Sequence, residues 1–306
     1  MAVLYYLLLA VLMVDIIRLI NYWTGIIPKN LYKSPALIGV GVLLLVLLLV
    51  LYGTWNANHP VVKNYEVSIN KKAGNLDEMR IVVVSDLHLG WIVGIDRMAD
   101  MVKRINSLQP DLVLIAGDTI DEGIDPSAEQ KIPAMIGMLN PRFGTYAVLG
   151  NHEYISGNVQ TTISNLDKAG IKVLRDQYVK VADNFYVVGR DDRSCKRYTG
   201  KERLALSKVM AGIDNKRLPI ILLDHEPVDL NIAEEEGVDL QFSGHTHLGQ
   251  LFPNNFITGL IYEDDWGYHK KANLQVIVSC GFGTWGPPIR IGNCPEILNV
   301  LVRFAP

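Results

Sequence analysis

Cysteine is scarce in this 306-residue chain, with only Cys195, Cys280 and Cys294 and no C-x-x-C spacing among them. An odd, scattered set excludes a disulfide framework and leaves thiolates out of any metal site. Charge is scarce too. Charged side chains are 20% of the sequence and the formal net charge is −3, so the basic excess that marks a nucleic-acid footprint is missing. No basic stripe with interleaved aromatics occurs, which excludes the usual single-strand groove. Internal repeats and low-complexity tracts are absent as well. Charge is thinnest at the start of the chain, and the first 55 residues raise the hydrophobic fraction to 49%.

Two apolar segments occupy that start. Ala2 to Ile20 is interrupted only by Asp15 and Arg18, which lie three apart and can pair on one helix face. Ala36 to Gly53 is uncharged and leucine-rich, with Tyr52 and Trp55 at its end as an interfacial belt. A segment of this length about covers the ~30 Å of bilayer hydrocarbon. No basic n-region precedes the first segment and no cleavage-site pattern follows it. A transmembrane hairpin is therefore expected over residues 1–55, in preference to a core helix or a cleaved signal peptide. The expected layout is a multi-pass anchor in the cell membrane followed by a globular domain over residues 60–306. The connector Asn21 to Pro35 carries Lys29 and Lys33 near Arg18, so the positive-inside rule puts it in the cytoplasm and the large domain on the extracytoplasmic side. Lys63, Lys71 and Lys72, just past the second segment, pull the other way.

From about residue 60 the pattern turns globular. Val62 to Ile69 and Arg80 to Val84 read as successive strands, and Ile95 to Leu108 spaces Met98, Met101, Val102 and Ile105 as one helical face. Helical spacing also fits residues 128–139, 158–169 and 203–213. Strand-like runs recur at 185–189, 219–223, 275–279 and 297–303. Strands alternating with helices imply an α/β domain built around a sheet.

Five of the apolar runs end in potential metal ligands. Ile81-Val82-Val83-Val84-Ser85 leads into Asp86 and His88, and Leu112 to Gly117 leads into Asp118. Tyr146 to Gly150 leads into Asn151, His152 and Glu153, Pro219 to Asp224 into His225, and Leu240 to Gly244 into His245 and His247. A lone strand-end histidine is more often a hydrogen-bonded surface or core residue, and a lone Asp after Gly is usually a turn. Coincidence in one place argues otherwise, because open α/β sheets gather ligands at the carboxyl ends of their strands. Five of the seven histidines belong to this set. Oxygen and imidazole donors without sulfur suit Mn, Fe or Zn. Two such divalent cations, ~3.5–4 Å apart, polarise water near neutral pH and neutralise phosphoryl oxygens during in-line attack. Phosphoester hydrolysis is the natural use of that chemistry.

Asp86-x-His88, Gly117-Asp118, Gly150-Asn151-His152-Glu153, His225 and Gly244-His245-Thr246-His247 resemble, block by block and in order, the signature of the calcineurin-like metallophosphoesterases. The apolar N-terminus and the stretch Gly283-Thr284-Trp285-Gly286-Pro287-Pro288 are similar to a membrane-anchored bacterial branch, which often begins with more membrane segments. The resemblance implies two facing β-sheets flanked by helices. It implies one cation held by Asp86, His88 and His247, a second held by Asn151, His225 and His245, and Asp118 bridging both. His152 matches the residue thought to protonate the leaving group or grip the phosphate. Leu248 departs from the small residue that many relatives carry there, which bears on the rim of the pocket.

The expected partner is a phosphoester, with a lipid-linked diester or pyrophosphate suggested by the anchor. Apolar residues expected near the rim fit that substrate: Trp91, Ile92, Trp285 and the loop Leu251 to Tyr262 with Phe256 and Ile261. Two alternatives remain. One is a binding scaffold on the same fold, like superfamily members that have lost ligand histidines, although every ligand position here is intact. The other is a phosphodiesterase acting on soluble nucleotides.

Overall fold

The computed structural model describes residues 1–28, 34–121 and 126–306; Lys29 and Lys33, on which the expected orientation leans, lie outside the described residues. Twelve strands are present among these residues: β1 (Val61–Ile69), β2 (Glu78–Val84), β3 (Leu112–Ala116), β4 (Thr145–Val148), β5 (Lys172–Val173), β6 (Gln177–Val181), β7 (Phe185–Gly189), β8 (Ile220–Leu223), β9 (Leu240–Ser243), β10 (Gly267–Lys271), β11 (Leu274–Val278) and β12 (Glu296–Phe304). They form two six-stranded sheets, ordered β1-β12-β2-β3-β4-β5 and β10-β11-β9-β8-β7-β6.

The apolar run of β2 explains the layering. Ile81 and Val83 point into the core between the two sheets, where they join Leu112, Leu114, Phe185, Ile221, Leu223 and Phe242. Val82 and Val84 point the other way, beneath Met98, Met101, Val102 and Ile105 of the helix Ile95–Ser107. A strand buried on both faces must be apolar at every position. The second sheet repeats the design: Ile220 and Leu222 pack under Val209, Met210 and Leu230. The result is two facing sheets with helices on their outer faces.

Strand pairing holds one feature with no local signal. β1 and β2 follow one another in sequence but are not partners. β12 lies between them, parallel to β1 from Val61↔Glu296 to Ile69↔Phe304 and antiparallel to β2 at Leu298↔Val83. The segment from Ser279 to Pro295 therefore crosses the carboxyl end of both sheets on its way into β12.

Two apolar helices precede the domain, Ala2–Thr24 and Pro35–Ala57, each 23 residues and long and apolar enough to cross a membrane. They form a hairpin, and Ala2, Tyr6 and Val46 pack with Ile289 and Ile291 of the domain. Polar contacts fix the same ends. Tyr5 donates to Asn254 Oδ1 at 2.7 Å, Tyr6 to the Phe252 carbonyl at 2.9 Å, and Asn56 to the carbonyls of Arg290 and Asn293 at 3.0 and 2.6 Å.

Some helical expectations change in extent. The pattern over 128–139 resolves into Pro126–Glu129 and Ile132–Ile136, the second begun by Pro133 near its first turn, where proline is tolerated. Residues 203–213 yield only Leu206–Met210. The expected loop from Leu251 to Tyr262 contains a helix, Asn255–Ile261, with no buried residue. Pro253 and two asparagines at its entry read as turn residues and mask its apolar spacing.

Candidate metal centre

Five loops meet where the two sheets open. Asp86 and His88 follow β2, Asp118 follows β3, and Asn151 and His152 begin the short helix after β4. These strands are neighbours in the first sheet. His225 follows β8, and His245 and His247 follow β9, neighbours in the second. All eight residues singled out by the sequence are thus brought to one place, and the cleft above them, about 440 Å³, is lined by Asp118, Asn151, His152, His245, His247 and Trp285.

The donor atoms fall into two groups about Asp118. In the first, His247 Nε2 lies 3.3 Å from Asp86 Oδ1 and 3.1 Å from His88 Nε2. In the second, His225 Nε2 lies 3.2 Å from both Asp118 Oδ2 and Asn151 Oδ1, and His245 Nδ1 lies 2.8 Å from Asn151 Oδ1. His88 Nε2, of the first group, is 3.8 Å from the same Asp118 oxygen. Asp86, His88 and His247 each offer one atom within 4.8 Å of the others, as do Asp118, His225 and His245.

Local backbone serves this convergence. Asp86, His88, Asp118, His245 and His247 all have positive φ, between 47° and 73°. Left-handed non-glycine residues cost on the order of 1–3 kcal/mol each and gather at functional sites. Leu248, the departure noted above, shares this conformation at φ 46°. The glycines ahead of the ligands allow close approach. A Cβ on Gly244 would lie 2.3 Å from Asp86 Oδ2, and one on Gly117, itself at φ 90°, would lie 2.4 Å from His225 Nδ1.

The donor set fits divalent cations. His225 Nδ1 meets the Ala116 carbonyl at 2.7 Å, which places its proton there and leaves the Nε2 lone pair facing Asp118 and Asn151. Nε2 of His88 and Nε2 of His247 face one another across 3.1 Å, an arrangement that two neutral rings tolerate only with a proton or a cation between them. Charge is polarised across the centre. Burial alone would raise the Asp118 carboxyl, but His225, His88 and His152 hold it far below the usual carboxylate range. Burial alone would lower His225, yet the Asp118 carboxylate raises it well above the ordinary histidine value. Burial, then His225, lowers His245; burial, then His88 and Arg290, lowers His247 strongly.

Three residues that sequence reasoning gave no role, Asp121, Arg290 and Asn293, support the site, and so does Glu153 from outside the donor groups. Asp121 Oδ1 lies 3.1 Å from His152 Nδ1, and its other oxygen 3.5 Å from His88 Nδ1. Its position three residues after Asp118 was the available signal. Glu153 is fully buried and accepts from the backbone N–H groups of Thr119, Ile120 and Gly150 at 2.6, 3.1 and 2.8 Å. It thereby ties the loops after β3 and β4 together, and burial and the Asp118 carboxylate push it up to about 7. Arg290 and Asn293 reach His247 from far along the chain, and no local pattern marks them.

Comparison with known proteins agrees with this geometry. The family model for calcineurin-like phosphoesterases matches residues 79–249. A metallophosphoesterase of Aquifex aeolicus is 38% identical over 234 residues, covering 74% of this chain and 85% of its own length. Proteins of Danio rerio and Bos taurus, each named transmembrane protein with metallophosphoesterase domain, are both 32% identical over 86% and 82% of this chain. The chain spans 62% and 59% of the length of those two relatives. A solved 5'-nucleotidase precursor from Thermus thermophilus is similar at a TM-score of 0.47 and 17% identity, over 74% of this chain and 54% of its own. On the family match and on the extent of the Aquifex relative, this chain belongs to the calcineurin-like phosphoesterase family.

Proposed function

We propose that the chain is a phosphoester hydrolase with a two-cation centre, anchored in a membrane by residues 1–55 and acting through a domain over residues 60–306. The observation that carries this reading is the position of Asp118, whose Oδ2 lies 3.2 Å from His225 Nε2 in one donor group and 3.8 Å from His88 Nε2 in the other. Asp86, His88 and His247 would hold one cation, Asn151, His225 and His245 the other, and Asp118 both. Mn, Fe or Zn would suit the donors. When bound, such cations supply Lewis acidity, lowering the pKa of water and neutralising charge on the phosphoryl oxygens.

The chain's own residues supply the rest. Asn151 and His245 fix the floor of the cleft through their 2.8 Å contact. His152, which lines the cleft, is placed to give a proton to the leaving oxygen, with Asp121 orienting its ring.

The substrate in this reading is a phosphoester carried by a membrane lipid. The helix Asn255–Ile261 exposes Phe256, Ile257, Leu260 and Ile261, and Leu260 is 88% exposed. Tyr5 and Tyr6, at the start of the first apolar helix, bond the segment just before it, so this apolar face lies at the membrane end of the domain. Trp285, 59% exposed, adds an apolar wall to the cleft. The relatives named as transmembrane proteins support an anchored arrangement, the two apolar helices support a multi-pass one, and the basic connector supports an extracytoplasmic domain.

The test is hydrolysis by the full chain in detergent micelles with Mn²⁺, across phosphomonoesters, phosphodiesters and lipid pyrophosphates. Turnover that disappears on chelation and is strongest on a lipid-borne ester supports the reading. No turnover on any of the three classes, with metal bound, overturns it.

A further inference from the structure

Arg290 is fully buried, and nothing in the chemistry above requires it. Its guanidinium is satisfied by backbone. Nη2 lies 2.7 Å from the carbonyls of both Cys280 and Gly283, Nε lies 3.2 Å from Gly283 O, and Nη1 meets Asn293 Oδ1 at 2.9 Å. Nη2 also packs 3.2 Å from Nδ1 of His247.

Each of these contacts leads to the same half of the metal centre. The loop that Arg290 braces hydrogen-bonds the ligand strand, with Phe282 N donating to Ser85 O at 2.9 Å and Gly283 N to Asp86 O at 2.7 Å. It packs so closely that a Cβ on Gly281 would lie 2.8 Å from the Cβ of Asp86. Asn293 donates to the carbonyls of His247 and Leu248 at 3.2 and 3.3 Å. Arg290 and Asn293 thus hold Asp86 and His247, two of the three donors of the first group.

What holds Arg290 and Asn293 comes from outside the globular domain. Asn56, in the last turn of the second apolar helix, donates from one amide to Arg290 O and Asn293 O. One turn earlier, the Gly53 carbonyl accepts the Arg290 N–H at 3.0 Å. Helix and loop meet there without slack, since a Cβ on Gly53 would lie 2.5 Å from Ile289 Cγ2 and 2.8 Å from Ile291 Cγ1.

We propose that the end of the second apolar helix, through Asn56 and Gly53, is a positioning element for the Asp86, His88 and His247 half of the metal centre. The path runs from Asn56 to Arg290 and Asn293, and from these to Asp86 and His247. The Asp118, Asn151, His225 and His245 half meets this path one step further on, where the His245 N–H donates to the Asp86 carboxylate at 3.0 and 3.2 Å, so the two cation positions differ in how directly they depend on the anchor. The anchor is then a working part of the site as well as a tether. Partners one step outside a metal's ligands typically change its affinity by about 10–100-fold. The proposal rests on the two-cation reading above.

The experiment is a Mn²⁺ titration of the full chain in detergent micelles, with free Mn²⁺ followed by its electron paramagnetic resonance signal. The wild type should bind two equivalents. Asn56→Ala should weaken one equivalent about tenfold and leave the other unchanged, which also reports that the variant is folded. Asn56→Asp keeps the shape of the side chain and loses the amide donor, so it should show the same single loss. His247→Ala should remove the sensitive equivalent, after which adding Asn56→Ala should change nothing further. Asp15→Asn, at an exposed pair away from the domain, should leave both equivalents as they are. A two-equivalent wild type whose affinities are unchanged in both Asn56 variants overturns the proposal alone, as does equal weakening of both equivalents. A wild type that binds fewer than two overturns the two-cation reading itself, before any substitution is made, and the proposal with it.

Discussion

Nδ1 of His152 lies 3.1 Å from Oδ1 of Asp121, and the second oxygen of the same carboxylate lies 3.5 Å from Nδ1 of His88. One carboxylate therefore bonds the candidate proton donor and lies beside a candidate metal ligand. Burial alone would lower His152, but the bond from Asp121 and the Asp118 carboxylate outweigh it and the net shift is upward. A raised value keeps the ring protonated to higher pH, the form a general acid needs.

Removing that acid should discriminate between leaving groups. His152→Ala is expected to slow alkyl phosphoesters by ~10²–10⁴-fold and to slow p-nitrophenyl esters far less, because nitrophenolate leaves without a proton. Asp121→Asn removes support for the protonated ring, so the decline of alkyl-ester turnover at high pH should move to lower pH. Equal losses on both ester types in His152→Ala would assign the ring to phosphate binding instead.

Asp118 carries the second expectation. Its Oδ2 lies 3.2 Å from His225 Nε2 and 3.8 Å from His88 Nε2, one ligand from each donor group, so it should matter to metal content more than any ligand of a single group. Asp118→Asn should abolish hydrolysis and lower bound metal, measured by elemental analysis, below the level left by Asp86→Asn or His245→Ala. A fully active Asn variant would remove the bridge from the mechanism.

The parts of this molecule that sequence reading reached are those whose constraint is local. Ile81 to Val84 must be apolar because both faces of β2 are covered, and that shows as an unbroken run. Asp86, Asp118, Asn151, His225 and His245 show because each follows such a run with an oxygen or imidazole donor. The pairing of β1 with β12 left no trace, since parallel partners far apart in sequence share no local period. The helix Asn255–Ile261 was hidden behind turn-forming Pro253, Asn254 and Asn255. Arg290 was invisible for a further reason: its partners are mostly backbone carbonyls, which any sequence supplies.

A pH effect on stability is expected from Asp264. Asp264 is buried, its Oδ2 has no hydrogen-bond partner, and burial and then the neighbouring Asp265 push it up to about 7. The folded state then holds a proton between the ordinary carboxylate value, ~4, and about 7, where the unfolded chain has released it. Stability from this group is complete below that window and is lost as pH rises through it. Asp264→Asn stays neutral throughout, so it should match the wild type near the bottom of the window and exceed it above. Thermal melts at both ends of the window measure the gap, at roughly 2–4 °C per kcal/mol for a domain of this size. A constant difference across the window would contradict the assignment.

The exposed face of the helix Asn255–Ile261 bears on where the substrate lies. Phe256 and Ile261 are 63% and 67% exposed, a cost that water-facing helices avoid and bilayer-facing ones exploit. Each such side chain gains about 1.5–3 kcal/mol when fully withdrawn from water, so losing two should weaken seating on lipid by tenfold or more. Phe256→Ser with Ile261→Ser, in the full chain, should therefore leave turnover of a small soluble diester unchanged. Turnover of the same headgroup presented on phospholipid vesicles should drop by about tenfold. Cutting the chain near Pro60 is a poorer probe, because it removes Asn56 and its bonds to Arg290 and Asn293 together with the anchor. Equal vesicle-borne turnover in the doubly substituted and wild-type chains would mean that this face plays no part in reaching the substrate. The hairpin alone would then account for the attachment, and the lipid-borne substrate would lose its main structural support.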